Sequence, residues 1–183
     1  MKGRIATAFV AVSVTMPLRA NAVEREHHLG VDAGGSMLVI DGKSTPDIGG
    51  GGGGHWTYGL NDAFNLMVEG AWSLVALSEA RGDTIPPTRP TWVANADVGV
   101  SYVFDVLQWV PYAGVLVGGY ALSGGTISGI KLLPGFELAL GLDYRFDRRL
   151  AAGVAFRQHM TSEVSTYPSF TQLFARIEYT WGW

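Results

Sequence analysis

The chain has 183 residues, enough for one domain, and its 25 glycines with only 16% charged residues make a poor water-facing surface for a globular protein of this size. It holds no cysteine and a formal charge of −3, which excludes disulfides and thiolate metal sites and leaves no basic footprint for nucleic acid.

Residues 1–22 read as an export signal. Lys2 and Arg4 precede an apolar run over 5–16, and Ala20-Asn21-Ala22 supplies a small-x-small cleavage pattern, so cleavage is expected after Ala22 and residues 23–183 form the mature domain. The apolar run is too short to span a bilayer. Taking Lys2, Arg4 and Arg19 from the 13 basic residues leaves 10 against 16 acids, a formal charge of −6. His27 and His28, beside Glu24 and Glu26, read as a solvated tail with at most a loose affinity for metal.

From there the controlling period is two. Strands are expected over 29–40 and 48–60. Between them and beyond, the series Phe64, Leu66, Val68, Trp72 and Leu74 opposes Asn65, Glu69 and Ser73. Trp92, Ala94, Ala96, Val98, Val100 and Tyr102 oppose Asn95, Asp97, Gly99 and Ser101. A strand follows over 110–122. Phe136, Leu138, Leu140 and Leu142 then oppose Glu137, Ala139 and Asp143. Leu150, Ala152, Val154 and Phe156 oppose Ala151, Arg157 and His159, and Leu173, Ala175, Ile177, Tyr179, Trp181 and Trp183 oppose Arg176 and Glu178. Such alternation gives each strand one apolar and one polar face.

Eight strands result, joined by short turns at 61–62, 105–108 and 147–149 that alternate with longer connections at 41–47, 75–89, 123–133 and 160–168. Short inner turns and long outer loops are the pattern of an up-and-down transmembrane β-barrel. A soluble sandwich shares the periodicity but would set many lysines on its polar faces. The mature chain has only Lys43 and Lys131, both in expected loops. Aromatics gather near strand ends, among them Trp56, Tyr58, Trp72, Trp92, Tyr102, Trp109, Tyr112, Tyr144 and Trp181, as interfacial girdles do. The uncharged stretch 110–130 is long enough for a membrane helix and holds Gly114-x-x-x-Gly118. Pro111 and six glycines favour strand, loop and strand instead.

These features, together with the turn Gly59-Leu60-Asn61-Asp62 and the ending FTQLFARIEYTWGW, resemble the OmpA/OmpX-like family of small outer-membrane barrels. The likeness covers the barrel alone, with no peptidoglycan-binding domain expected. It implies an all-β, eight-stranded barrel in the cell outer membrane. The implied role is structural, in envelope integrity, or in surface interaction, without enzymatic activity or cofactor. Outer-membrane lipid, lipopolysaccharide and, during biogenesis, the barrel-assembly machinery are the implied partners. Ile177, Tyr179, Trp181 and Trp183 match the terminal pattern by which such machinery recognises its substrates.

Inward positions are expected for Asp32, Glu69, Asp97, Glu137, Asp143, Arg145, Arg157, Arg176 and Glu178. An eight-stranded interior is only wide enough for side chains to fill, so these charges should pair, with a narrow ion path as the alternative. Gly49 to Gly54 matches G-x-G-x-x-G but opens no helix, so it reads as side-chain-free strand. His159 with Thr161, Ser162 and Glu163 weakly resembles a lipid A deacylase, whose serine stands two residues after its histidine where this chain has Thr161. A second lipid-modifying reading therefore stays open. The connection 75–89, with Pro86-Pro87, is the candidate partner surface.

Overall fold

The computed structural model describes residues 25–40, 45–78, 85, 88–104, 108–163 and 165–182. They form eight antiparallel strands: β1 His27–Val39, β2 Asp47–Gly59, β3 Phe64–Ala76, β4 Trp92–Val103, β5 Trp109–Gly124, β6 Ile127–Arg145, β7 Leu150–Thr161 and β8 Ser169–Trp181. Each pairs with the next. β8 returns to β1 from His27↔Trp181 to Val39↔Ser169, closing the barrel and leaving no sheet edge along that seam. The expected signal segment 1–22 lies outside the described residues.

The inner turns form where short polar side chains can replace missing backbone partners. Asn61 Oδ1 accepts from the N–H groups of Ala63 and Phe64 at 2.9 Å each, and Asp147 Oδ1 accepts from Arg149 and Leu150 at 2.6 and 2.9 Å. Such side-chain turns are the reason Asn and Asp mark tight connections. The two backbone donors hold the Asp147 carboxyl below its ordinary pKa.

Period two becomes inside and outside. Leu29, Val31, Val98, Val100, Val115, Val117, Leu138, Leu140, Leu173 and Ile177 stand outward and exposed, whereas Asp32, Glu69, Asp97, Glu137, Arg157 and Arg176 are buried within. A soluble protein reverses this arrangement. Aromatic clusters ring the turn end: His27 stacks on Trp181 at 5.4 Å, Phe64 meets Tyr102 edge-on at 5.2 Å, and Trp109 meets Tyr144 at 4.9 Å.

Two expectations need correction. Tyr112, taken for a girdle aromatic, points inward at 7% exposure, because even-numbered residues of β5 face the lumen and Trp109 alone carries the interface there. The connection expected over 123–133 is instead a tight hairpin: β5 runs to Gly124, β6 begins at Ile127, and a register shift falls between Ser123 and Gly124. Gly124 and Gly125 both have positive φ, which glycine adopts without steric cost. The glycine-rich sequence expected to form a loop makes the corner of one long hairpin.

Glycines also decide how the interior fills. Gly30 lies opposite His55, Gly118 opposite Asp97, Gly141 opposite Tyr112 and Gly153 opposite Asp143, and a Cβ on any of them would overlap the side chain it faces. Small barrels pack by setting large against small across neighbouring strands. The inward glycines of β2 (49, 51 and 53) lie against the backbone of β3 in the same way.

Candidate functional site: the charged lumen

The loop end of the lumen is apolar, and an apolar cluster also fills one side of the lumen towards the turns. Leu38, Val93, Leu122 and Phe170, each no more than 1% exposed, fill the loop end with Tyr120, Ile127 and Leu133 around them. Met67, Leu116 and Ala139 pack with Val103, Val110 and Tyr112 towards the turn end. Burying charges beside such clusters is costly unless each meets a partner.

Arg176 on β8 organises the turn-side half. Its Nη2 lies 2.6 Å from Glu178 Oε2 and its Nε 3.5 Å from Asp143 Oδ1. Its guanidinium lies 5.0 Å over the Tyr112 ring and donates to the Tyr112 hydroxyl. His55 bridges Asp32 and Glu178, with Nδ1 at 2.9 Å from Asp32 Oδ2 and Nε2 at 3.0 Å from Glu178 Oε2. His28 Nδ1 reaches Glu178 Oε1 at 2.7 Å. At the mouth Glu26, before β1, sits 3.5 Å from both His28 and Arg145. Burial alone would raise the pKa of that carboxyl; the His28 hydrogen bond and the Arg145 charge outweigh it and lower it.

Arg157 on β7 organises the middle. Its Nη2 lies 3.0 Å from Asp32 Oδ2 and 3.1 Å from Glu69 Oε2, with Nε 3.8 Å from Glu137 Oε1 and the guanidinium 5.4 Å from the Phe174 ring centre. Beside it His159 stacks on Phe170 at 4.2 Å. Its Nε2 lies 3.0 Å from Gln172 Oε1, and Gln172 Nε2 donates to Ser73 Oγ at 3.1 Å. A cavity of about 30 Å³ near His28, Asn65, Tyr112, Asp143 and Arg176 has room for about two waters.

Eight of the nine charges expected inside are therefore buried, seven of them in one connected set, while Asp97 accepts from Asn95 Nδ2 at 2.7 Å. Arg145 is the departure, a quarter exposed at the mouth, because it ends β6 and has no turn of strand beyond it. His28 corrects the solvated-tail expectation: it is 4% exposed inside the barrel, since β1 already begins at His27. His159 bears on the lipid-modifying alternative. Its ring is fully buried in the lumen, whereas Ser162 stands exposed beyond the strand, so histidine and serine do not converge on a lipid surface.

Sequence reasoning missed His55, Tyr112, Tyr120 and Gln172, each a lone polar residue in an apolar or glycine-rich stretch. It also missed a clamp at the loop end. Arg89 donates from Nε and Nη2 to both oxygens of Asp47 at 2.8 Å, and its backbone N–H donates to Thr126 Oγ1 at 2.9 Å. Both members of the pair are at most 1% exposed, so the end of the candidate partner loop is tied to β2 and the β5–β6 hairpin. Asp47 and Arg89 were legible only as loop-end charges 42 residues apart.

On the outer face of the last strand Ile177, Tyr179 and Trp181 are exposed in sequence alternation, and Trp183 lies outside the described residues.

No protein-family model and no curated protein matches the sequence. Solved structures do. Neisserial surface protein A aligns with a TM-score of 0.64 at 12% identity, over 84% of this chain and 96% of that one. The N-terminal β-barrel domain of OprF from Pseudomonas aeruginosa gives 0.57 at 10%, over 86% and 98%. Ail, the attachment invasion locus protein of Yersinia pestis, gives 0.57 at 13%, over 86% and 99%. At these identities the likeness is one of fold: with the closed antiparallel topology it establishes the chain as an eight-stranded β-barrel similar in fold to these small barrels.

Proposed function

We propose that this protein is an integral outer-membrane barrel with a structural or surface-interaction role, exported by the segment 1–22 and spanning the bilayer with a filled lumen. One observation carries the reading: the barrel is apolar outside and charged inside, with Leu138 and Val98 exposed while Glu137 and Asp97, their neighbours in the chain, are buried. Only a surrounding of hydrocarbon makes that polarity stable. The lipid partner follows from the outer face. Lipopolysaccharide and the assembly machinery belong to the proposal through the same membrane and through the terminal strand.

The lumen supports a structural role over conduction, because apolar side chains close its loop end and Arg157 and Arg176 hold carboxylates across its interior. For surface interaction the β5–β6 hairpin is a better candidate than the loop before Arg89. Residues 127–134 of β6 extend past Gly135↔Thr161, where pairing with β7 begins, and Ile130 and Leu132 are 64% and 76% exposed there. A structure of Ail in complex with the heparin analogue sucrose octasulfate is a precedent for a surface ligand on this fold, but an acidic chain favours a different ligand chemistry. Fractionation tests the core of the proposal: the protein is expected in the outer-membrane fraction, with mobility on SDS gels that changes on boiling. Recovery from the soluble periplasm overturns it.

A further inference from the structure

Asp97 on β4, Glu137 on β6 and His159 on β7 converge in the lumen, each offering one ligand atom within 4.8 Å of the others, and all three are buried. We propose that they form a site for a divalent transition-metal cation, with Zn²⁺ as its type, that ties β4 to β6 and β7 across the barrel.

The tautomer of His159 carries the inference. Gln172 donates through Nε2 to Ser73 Oγ and so turns its Oε1 towards His159 Nε2 at 3.0 Å. An acceptor there places the ring proton on Nε2 and leaves the lone pair on Nδ1. Nδ1 in turn faces Glu137 Oε2 at 3.4 Å, so two lone-pair atoms confront each other in a dry interior. Ligand atoms of a tetrahedral site with bonds of about 2.0 to 2.1 Å stand about 3.4 Å apart, which is this separation. A histidine whose second nitrogen is held by a neutral acceptor is also the usual arrangement around a bound metal. The Tyr120 hydroxyl, 3.4 Å from the same Nδ1, is a neutral group that competes for that lone pair.

Unmet valence points the same way. Neither oxygen of Glu137, which is fully buried, has a hydrogen-bond partner, and neither has Asp97 Oδ1. Glu69 stands close by with neither oxygen hydrogen-bonded, its Oε2 paired at 3.1 Å with the Arg157 that it shares with Asp32 and Glu137. The buried carboxylates Asp32, Glu69, Asp97, Glu137, Asp143 and Glu178 face two buried guanidiniums, Arg157 and Arg176. Fully ionised, the six would leave two negative charges even with His28 and His55 counted as cations, and both oxygens of Glu137, beside His159, are among the atoms without a hydrogen-bond partner. One nitrogen and two carboxylate oxygens suit Zn²⁺ or a neighbouring first-row ion better than Mg²⁺ or Ca²⁺, which prefer all-oxygen shells.

The test unfolds the full chain in urea with EDTA and refolds it in detergent with ZnCl₂ or, separately, MgCl₂. Metal content after desalting is then measured on the heat-modifiable fraction, so that only closed barrels are counted. About one Zn²⁺ per barrel is expected, with Mg²⁺ not retained. His159→Gln and Glu137→Gln are expected to close but to lose the metal, and Gln172→Leu, which frees the tautomer, to weaken Zn²⁺ affinity about 10 to 100-fold. Co²⁺ in place of Zn²⁺ should give the visible absorption of a tetrahedral site in the wild type alone. Closed wild-type barrels without Zn²⁺, which would mean that a proton shared among the carboxyls replaces it, overturn the proposal, as does equal Zn²⁺ in His159→Gln. Should the variants fail to close, the wild-type content and the Co²⁺ spectrum still decide.

Discussion

Gly30 stands directly across the β1–β2 ladder from His55, and a Cβ at Gly30 would overlap the imidazole that bridges Asp32 and Glu178. The glycine is there for the space it leaves. Gly30→Val is expected to destabilise the barrel by about 1 to 3 kcal/mol, the usual cost of overpacking. Gly119→Val, at an outward position whose Cβ meets nothing within 4 Å, should be close to neutral. Urea unfolding in lipid vesicles compares the two, and equal losses would show that His55 is not packed against β1.

The inside-out polarity makes a sharper comparison. Leu140→Arg and Val98→Arg place a charge on the exposed apolar face and should each cost about 2 to 4 kcal/mol if that face meets the bilayer midplane. Ser101→Ala, inside the lumen beside the small cavity, should cost under about 1 kcal/mol. Ala139 is a poor lumen control despite its inward position, because it packs with Met67 and Leu116, where a hydroxyl would lack a partner. Similar sensitivity of the two faces would refute the assignment of outside and inside.

Arg157 holds Asp32 and Glu69 together at the centre of the lumen. Arg157→Ala leaves buried carboxylates without their cation and is expected to cost about 3 to 5 kcal/mol. Conductance in planar bilayers should nevertheless stay at background, since Leu38, Leu122 and Phe170 close the loop end independently of the network. Steady single-channel currents through the wild type would instead favour the pore alternative.

The Asp47–Arg89 clamp ties Arg89, just before β4, to β2 and to the β5–β6 hairpin. Arg89→Ala strands a buried carboxylate and should cost about 3 to 5 kcal/mol, and proteolysis between residues 77 and 91 should speed up. In the Asp47→Ala/Arg89→Ala double variant, part of the stability loss should be recovered. Strict additivity of the two single losses, measured by urea unfolding, would mean that the pair is not coupled.

Terminal-strand recognition separates from terminal-strand stability. β8 is fully paired with β1 in the closed barrel, so a machinery that reads it by edge addition must act before closure. Tyr179→Ser, at an outward aromatic, combined with Trp183→Ser should leave the finished barrel nearly as stable, yet send the chain to periplasmic degradation. Normal outer-membrane levels of this double variant would rule the signal out.

Fold class was legible because strand periodicity is local: each strand shows its two faces within ten residues, and the turns at Asn61 and Asp147 announce themselves by side chains that bond their own backbone. Which charges lie inside followed from the same alternation, so Asp32, Glu69, Asp97, Glu137, Asp143, Arg157, Arg176 and Glu178 could be assigned before any partner was known. Pairing could not. It depends on the stagger of eight strands around a closed ring, which sets Arg157 beside Asp32, 125 residues away, and brings Asp97, Glu137 and His159 from three strands to one point. The purpose of the glycines was equally hidden, because a missing Cβ acquires meaning only from what stands opposite it across the ladder. Composition and period two determined that this chain closes as an inside-out barrel. Register alone decided what its interior holds, because register is fixed by hydrogen bonds between strands whose sequences carry no mark of one another.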